Sequence, residues 1–327
     1  GCSASTVSRA LKGHPDISMA TREKIQSVAD ALGYVPHPTA QALRTRSSRL
    51  IALVLPKLDS FFFPQLLAAV SEAVERRGYS LLFLQSDNVF SREEELLAYC
   101  LRMRVEGVLL SLSRGARTIA HLEALKRKEV PVVLFDHILD EVDLPATTID
   151  DEEVAYTAVN YLLEHGHRRI LGVFDHPVLH MTRHRRAGFE QAYQAHGLEV
   201  PEELILEIDD DGDSLQLQLR DFVSTHPEAT ALFAMSDKLM VRAYHVINQL
   251  GLDIPKEMSL LSISDGKAPY YLFPNITHMR HSGDVVGRQA TDLLFSYLED
   301  PGQPPRFEAV DVELVELGSV RDIRQPG

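Results

Sequence analysis

Tryptophan is absent from the 327 residues and cysteine occurs only twice, at Cys2 and Cys100. Two cysteines so placed have neither metal-ligand spacing nor the pairing of a disulfide framework, which excludes a stapled secreted scaffold and suits a reducing compartment. No apolar run approaches the roughly 18 residues needed to span a bilayer, and no charged-then-apolar leader opens the sequence. A soluble, unexported, cytoplasmic chain is expected. Nucleotide-binding and catalytic signatures are lacking too: there is no G-x-G-x-x-G after a strand, no G-x-S-x-G elbow and no H-E-x-x-H helix. Gly266-Lys267 has Leu261 where a P-loop requires its first glycine and Ala268 where it requires Ser or Thr. Neither an enzyme nor a cofactor is predicted.

What is present is a chain long enough for two or three domains, with 45% hydrophobic residues to fill their cores. Its net charge of -14 disfavours nonspecific adhesion to nucleic acid, but the charge is unevenly distributed. Residues 1–49 carry seven Lys/Arg (Arg9, Lys12, Arg22, Lys24, Arg44, Arg46, Arg49) against Asp16, Glu23 and Asp30, a balance of +4 that leaves -18 for the rest. A basic module on an acidic body can hold phosphates locally while the body stays off the duplex.

From Leu50 onward one pattern repeats: an apolar strand, an amphipathic helix, a glycine that ends the helix, and another strand. "LIALVLP" at 50–56 precedes a helix from about Phe63 with Phe63, Leu66, Leu67, Val70 and Val74 at helical spacing, and Gly78 closes it. Gly166, Gly197 and Gly251 punctuate the sequence in the same way. "YSLLFLQ", "GVLLSL" (107–112), "VPVVLFD" (130–136), "RRILGVFD" (168–175), "ATALFAM" (229–235) and "MSLLSIS" (258–264) read as further strands. Runs apolar on consecutive residues fit parallel strands covered on both faces, and the length allows two doubly wound α/β sheets. A ligand site is expected where their strand C-termini face each other. Ahead of this body, "STVSRAL" and "SMATREKIQSVADALGY" read as short helices, the second opened by Ser18 as N-cap and closed by Gly33. The proline-led basic stretch "VPHPTAQALRTRSSR" reads as a linker that becomes helical when ordered.

Three polar clusters invite chemistry. His180 and His184, at i and i+4 with His176 nearby, have the spacing of metal ligands on one helical face, but ordinary polar histidines are the commoner meaning, and no metal is expected. "DDDGD" at 209–213 has its glycine at the fourth position rather than the sixth of an EF-hand-type calcium loop, and reads as a solvated acidic turn. In "RHRR" at 183–186, i and i+2 face different sides of a helix, so one or two arginines can enter a pocket while the others meet solvent-side partners.

Taken together, "STVSRAL", "TREKIQSVADALGYVP", "AQALRTRSS" and the two-lobed body resemble the lactose-repressor (LacI/GalR) family of bacterial transcription regulators. "GHRRI" at 166–170, "RRAGF" at 185–189 and "FPNITHMRH" at 273–281 extend the resemblance over essentially the whole chain. It implies a small all-α helix-turn-helix head at 1–34, a hinge at 35–49, and a body of the type I periplasmic-binding-protein fold. In that body 50–150 with 279–305 would form the N-lobe and 151–278 with 306–320 the C-lobe. The chain opens where the family has the turn between its first two helices, so the resemblance implies a head without its first helix and a weakened grip on the operator. It further implies a homodimer, a pseudo-palindromic operator and a small-molecule effector. Aromatic and arginine side chains suit sugar faces and hydroxyls, so a sugar or sugar derivative is expected first, with a purine or an anionic metabolite behind it. The competing reading is a sugar-binding protein of periplasmic type with no regulatory role.

By position in the motif, Ala4, Ser5 and Arg9 would read bases, while Ser3, Thr6, Ser8 and Lys12 would hold phosphates. Arg9 suits a guanine edge or, alternatively, phosphate alone. Gln41 would lie beside the minor groove, with Leu43 wedged between base pairs or packed against a partner hinge. For the effector, the resemblance points to Arg185 as the ligand-reading guanidinium, to Ser60, Phe62 and Phe63 in the first loop, and to Asp136 at a strand end. In that loop Phe61 replaces the family's proline. Ser236 and Ser264 stand where many members have Asn and Asp, and Asp210 where some carry an aromatic. These departures would remove an amide, a carboxylate and a stacking ring from the recognition set.

Overall fold

The computed structural model describes residues 2–11, 13–32, 47–58, 61–140, 142–208 and 214–324. Residues 1–48 and 49–327 form two separate compact units. Lys12, Gln41, Leu43, Ser60 and Asp210, most of the hinge, and the acidic run at 209–213 lie outside the described residues.

The small unit contains α1 (Ala4–Leu11) and α2 (Met19–Ala31). Ser18 caps α2, its side chain accepting from the backbone N–H of Thr21 and so satisfying one of the donors a helix start leaves open. Arg22 of α2 reaches back to the carbonyls of Gly13 and His14 at 2.8 and 3.1 Å, fixing the turn between the helices. Among the described residues of this unit the buried apolar side chains are Ala10 and Ala29.

Among its described residues, the large unit has two sheets of six strands. In the first, β1 (Leu50–Leu55), β2 (Ser80–Gln85), β3 (Gly107–Leu110), β4 (Val132–Phe135), β5 (Ala146–Thr148) and β11 (Phe307–Ala309) lie in the order β11-β5-β4-β3-β1-β2, all parallel. In the second, β6 (Ile170–Phe174), β7 (Ile205–Glu207), β8 (Ala231–Ala234), β9 (Ser259–Ser264), β10 (Thr277–Arg280) and β12 (Glu313–Val315) lie in the order β12-β10-β9-β8-β6-β7, with only β12 antiparallel. Around them run α3 (Phe62–Arg76), α4 (Phe90–Met103), the single turn α5 (Glu123–Lys126), α6 (Asp151–Glu164), α7 (His180–Ala195), α8 (Ser214–Thr225), α9 (Asp237–Gln249) and α10 (Gly283–Glu299). Apart from Leu50 at the start of β1, the strands β1, β3, β4, β6, β8 and β9 are wholly buried, as covering helices require and as their largely apolar residues predict.

The chain crosses between lobes at 149–150, 281–282 and 310–312. Two of the expected boundaries therefore move: Met279 and Arg280 belong to β10 of the second sheet, and residues 307–309 form β11 of the first. β11 is three residues long and mostly exposed, so it has no apolar run of its own and is defined by pairing with β5. Two close helix contacts depend on glycine. A Cβ on Gly188 of α7 would lie 2.0 Å from the Glu152 carbonyl oxygen of α6, and one on Gly283 of α10 would lie 2.4 Å from that of Phe62 of α3.

Candidate functional site

In parallel sheets all strands point their C-terminal ends one way, and here both sets of ends converge on a cleft of about 170 Å³. Pro56 after β1, Asp136 after β4, Met235 after β8, Asp265 after β9 and His281 after β10 all line it. Helix starts contribute Phe62 and Phe63 from α3, Arg185 from the second turn of α7, and Ser236 with Asp237 at the start of α9.

Arg185 is the central cation, only 3% exposed. Its Nε donates to Asp151 Oδ1 at 2.7 Å and its Nη1 to the Met235 carbonyl at 2.5 Å. A guanidinium has five N–H donors, and these are the two with partners among the described residues, which leaves three for a ligand. Asp151 sits at the first position of α6 and is itself buried, so the pair locks α7 to α6 and fixes the direction of the fork.

Acidic groups face this cation. Asp136 adopts φ +57°, a left-handed conformation that Asp tolerates better than a bulky or β-branched residue would. Burial pushes its carboxyl up, against the opposing pull of His137 and Arg185. Asp237 accepts from Ser264 Oγ at 2.5 Å and from the backbone N–H of Asp265 at 2.9 Å. Burial, and then the neighbouring charge of Asp265, push the Asp237 carboxyl up to about 7. His281 packs against Phe62 in a tilted arrangement with ring centroids 4.5 Å apart, and burial followed by Arg185 pushes its imidazole down to about 3, so it is neutral. Among the described residues, Arg114 to Asp175 at 2.8 Å and Gln65 Nε2 to Asp265 Oδ2 join the lobes across the cleft.

Of the residues expected at an effector site, Phe62, Phe63, Asp136, Arg185, Ser236 and Ser264 all line this cleft. Phe62 and Phe63 also belong to the hydrophobic core and meet edge to face at 5.4 Å, so their rings serve packing first. The expected loss of a carboxylate does not follow, because Asp237 and Asp265 bring acids to the cleft one position after Ser236 and Ser264. Arg114, Asp175, Asp237, Asp265 and His281 were not singled out from the sequence. Asp175 and Asp265 end or follow apolar strands just as Asp136 does, so the rule that picked Asp136 reaches them too. In "RHRR", Arg185 alone enters the cleft, whereas Arg183 pairs with Asp140 and Arg186 with Glu190, Glu202 and Glu207.

In the small unit, Ser3 Oγ accepts from the Thr6 backbone N–H at 3.2 Å and meets the hydroxyls of Ser5 and Thr6, so it caps α1. Ser5 and Arg9 are exposed, and Thr6 and Ser8 half-buried. Arg9 lies 3.5 Å from Asp16, an exposed pairing worth at most about 1 kcal/mol and readily given up to a stronger anion.

A short helix pair with a capped, polar first helix, together with two parallel-sheet lobes closing on a polar cleft, defines a DNA-binding regulator that senses a small molecule. Residues 1–37 match the family model described as bacterial regulatory proteins, lacI family, and residues 48–305 that described as periplasmic binding proteins and sugar binding domain of LacI family. The chain belongs to the LacI family of transcriptional regulators. Among its relatives, the catabolite control protein A of Priestia megaterium is 27% identical over 99% of this chain and 95% of its own length. The transcriptional repressor CytR of Escherichia coli K12 is 26% identical over 98% and 93%. The solved complex of the regulator CelR with cellobiose is 25% identical with a TM-score of 0.75, covering 98% of this chain and 96% of that one. The lac repressor dimer bound to operator and the anti-inducer ONPF, 20% identical over 98% and 96%, shares the fold with a TM-score of 0.87. Among the described residues, no helix is long and apolar enough to cross a membrane.

Proposed function

We propose that this chain works in the cytoplasm as a homodimeric repressor whose paired heads bind a pseudo-palindromic operator and whose cleft takes a sugar or sugar derivative. The observation that carries the ligand class is the buried Arg185, oriented by Asp151 and the Met235 carbonyl, with three N–H donors left and carboxylates opposite. Vicinal hydroxyls satisfy both halves of such a site, accepting from the guanidinium while donating to Asp136 or Asp237. An anionic metabolite gains from Arg185 but meets Asp136, Asp175, Asp237 and Asp265.

In this reading Ser5 and Arg9 face base edges, Arg9 forking onto a guanine, and Ser3, Thr6 and Ser8 sit near phosphates. Ligand binding alters operator affinity by as much as its affinity differs between the two lobe arrangements. The test is thermal-shift screening against neutral sugars, sugar phosphates and nucleobases, followed by mobility shifts on pseudo-palindromic DNA with the hit present and absent. A ligand at 100 times its dissociation constant adds about 2.7 kcal/mol, which the screen resolves. Stabilisation by nucleobases alone, or equal affinity for random and palindromic DNA at moderate salt, would refute the proposal.

A further inference from the structure

We propose that Asp140, His180 and His184 form a binding site for a divalent transition-metal ion that ties the two lobes together. His180 and His184 stand one turn apart on α7, in the second lobe, with their rings stacked 4.2 Å apart. Asp140 belongs to the loop between β4 and β5, in the first lobe, and its Oδ1 lies 2.9 Å from His180 Nε2 and 3.1 Å from His184 Nε2. One donor atom from each residue thus lies within 4.8 Å of the other two. An ion with bonds of about 2.0–2.1 Å holds neighbouring donors about 2.9–3.4 Å apart, between the edges of an octahedron and a tetrahedron. Both separations from Asp140 fit that range.

His184 Nε2 faces Asp140, and its Nδ1 lies 3.7 Å from Glu152 Oε2, beyond direct hydrogen-bond reach. With an ion on Nε2 the ring proton sits on Nδ1, towards Glu152, an arrangement in which a carboxylate orients a ligating histidine. Arg183 donates to Asp140 Oδ2 at 2.8 Å, which leaves Oδ1 for the histidines. His180 Nδ1 is buried without a partner among the described residues, so His184 and Asp140 carry most of the affinity. A second cavity of about 840 Å³, bounded by the β4–β5 loop and the starts of α6 and α7, adjoins all three residues and admits water to complete the coordination. Two imidazoles and one carboxylate suit zinc, nickel or cobalt, whereas magnesium and calcium prefer all-oxygen sites.

The site lies beside the effector cleft. Asp151 lines the second cavity and binds Arg185, which lines the first. The test is calorimetric titration of the full chain with ZnCl2, with MgCl2 as control, and the visible spectrum of the Co2+-loaded chain. One zinc per chain is expected, bound at least tenfold more weakly by Asp140→Asn and by His184→Gln, one from each lobe, and roughly tenfold more weakly by Glu152→Gln. The side chains of Asp140 and His184 are 52% and 37% exposed, so these variants keep the fold, checked by unfolding temperature without metal. Ligand-field bands of nitrogen and oxygen coordination should appear with Co2+ and vanish in His184→Gln. No zinc uptake by the unmodified chain, equal uptake by the variants, or equal binding of magnesium would overturn the proposal. Protonation of His184 in place of a metal would appear as the first of these.

Discussion

Arg185→Met tests how the cleft is held together. The substitution keeps much of the aliphatic volume but removes the charge beside Asp151 and the donor to the Met235 carbonyl, in surroundings where both charged side chains are less than 5% exposed. Breaking a buried ion pair from one side leaves the other charge without compensation, and this costs about 3–5 kcal/mol. For a unit of this size each kcal/mol moves the unfolding midpoint by about 2–4 °C, so a fall on the order of 10 °C is expected. Asp151→Leu alone should be similarly damaging, because it buries an unpaired guanidinium. The double variant should recover most of the loss, since replacing both partners by apolar groups removes the desolvation penalty together with the attraction. Asp151 Oδ2, buried without a partner among the described residues, makes the native pair less than fully satisfied and strengthens that expectation. The assay is urea unfolding of the unmodified chain, both single variants and the double variant as a thermodynamic cycle. A coupling of at least about 2 kcal/mol is expected; additive losses would refute the claim that these side chains depend on each other. Arg185→Met and the double variant should lose effector binding because the cleft then lacks its fork, and Asp151→Leu should weaken it because the fork loses the partner that orients it.

Other expectations follow from particular contacts. Gly188→Ala should destabilise the second lobe by about 3 kcal/mol or more, read by urea unfolding, because its Cβ would fall 2.0 Å from the Glu152 carbonyl oxygen and force α6 and α7 apart. Asp237, with its carboxyl pushed up to about 7 from an ordinary value near 4, binds a proton more tightly when folded than when unfolded. Its contribution to stability is therefore greatest at low pH and is lost as pH rises towards and through 7. The stability of the unmodified chain relative to Asp237→Asn should fall between pH 5 and 7 and level off above about 8; a flat difference would contradict the burial argument. Arg9→Ala should leave the unfolding midpoint almost unchanged, because its pairing with Asp16 is exposed, yet should lose about 1–3 kcal/mol of discrimination at one base pair. Mobility shifts on base-substituted operators check this, and a uniform loss across all sequences would assign Arg9 to phosphate instead.

Local sequence carried a large part of this protein. The buried strands β1, β3, β4, β6, β8 and β9 are visible as largely apolar runs because a strand covered on both faces has no position that tolerates a charge. Helix ends were equally legible: Gly78, Gly166, Gly197 and Gly251 all adopt positive φ, a requirement that a single residue expresses. The charge split between residues 1–49 and the rest, the Ser18 cap and the order of the family motifs were likewise available without coordinates. Asp136 could be placed at the cleft because a position at the end of a parallel strand implies its neighbourhood.

Tertiary structure decided whatever depends on residues far apart in the chain. The short strands β11 and β12 exist only because β5 and β10 offer an edge, so their own three residues carry no signal. Nothing near Arg185 in sequence announces that Asp151, 34 positions earlier, and the Met235 carbonyl, 50 later, use two of its donors and aim the rest. Asp237 reads locally as an ordinary acid at a helix start; burial and the charge of Asp265 set its proton affinity, and both come from packing. The i, i+4 histidines of α7 are bland in isolation and acquire meaning only when a loop of the other lobe sets Asp140 against them. Sequence determines the elements and their faces because those are short-range sterics and solvation, whereas desolvation and converging charge are properties of a space that exists only once the two lobes have folded together.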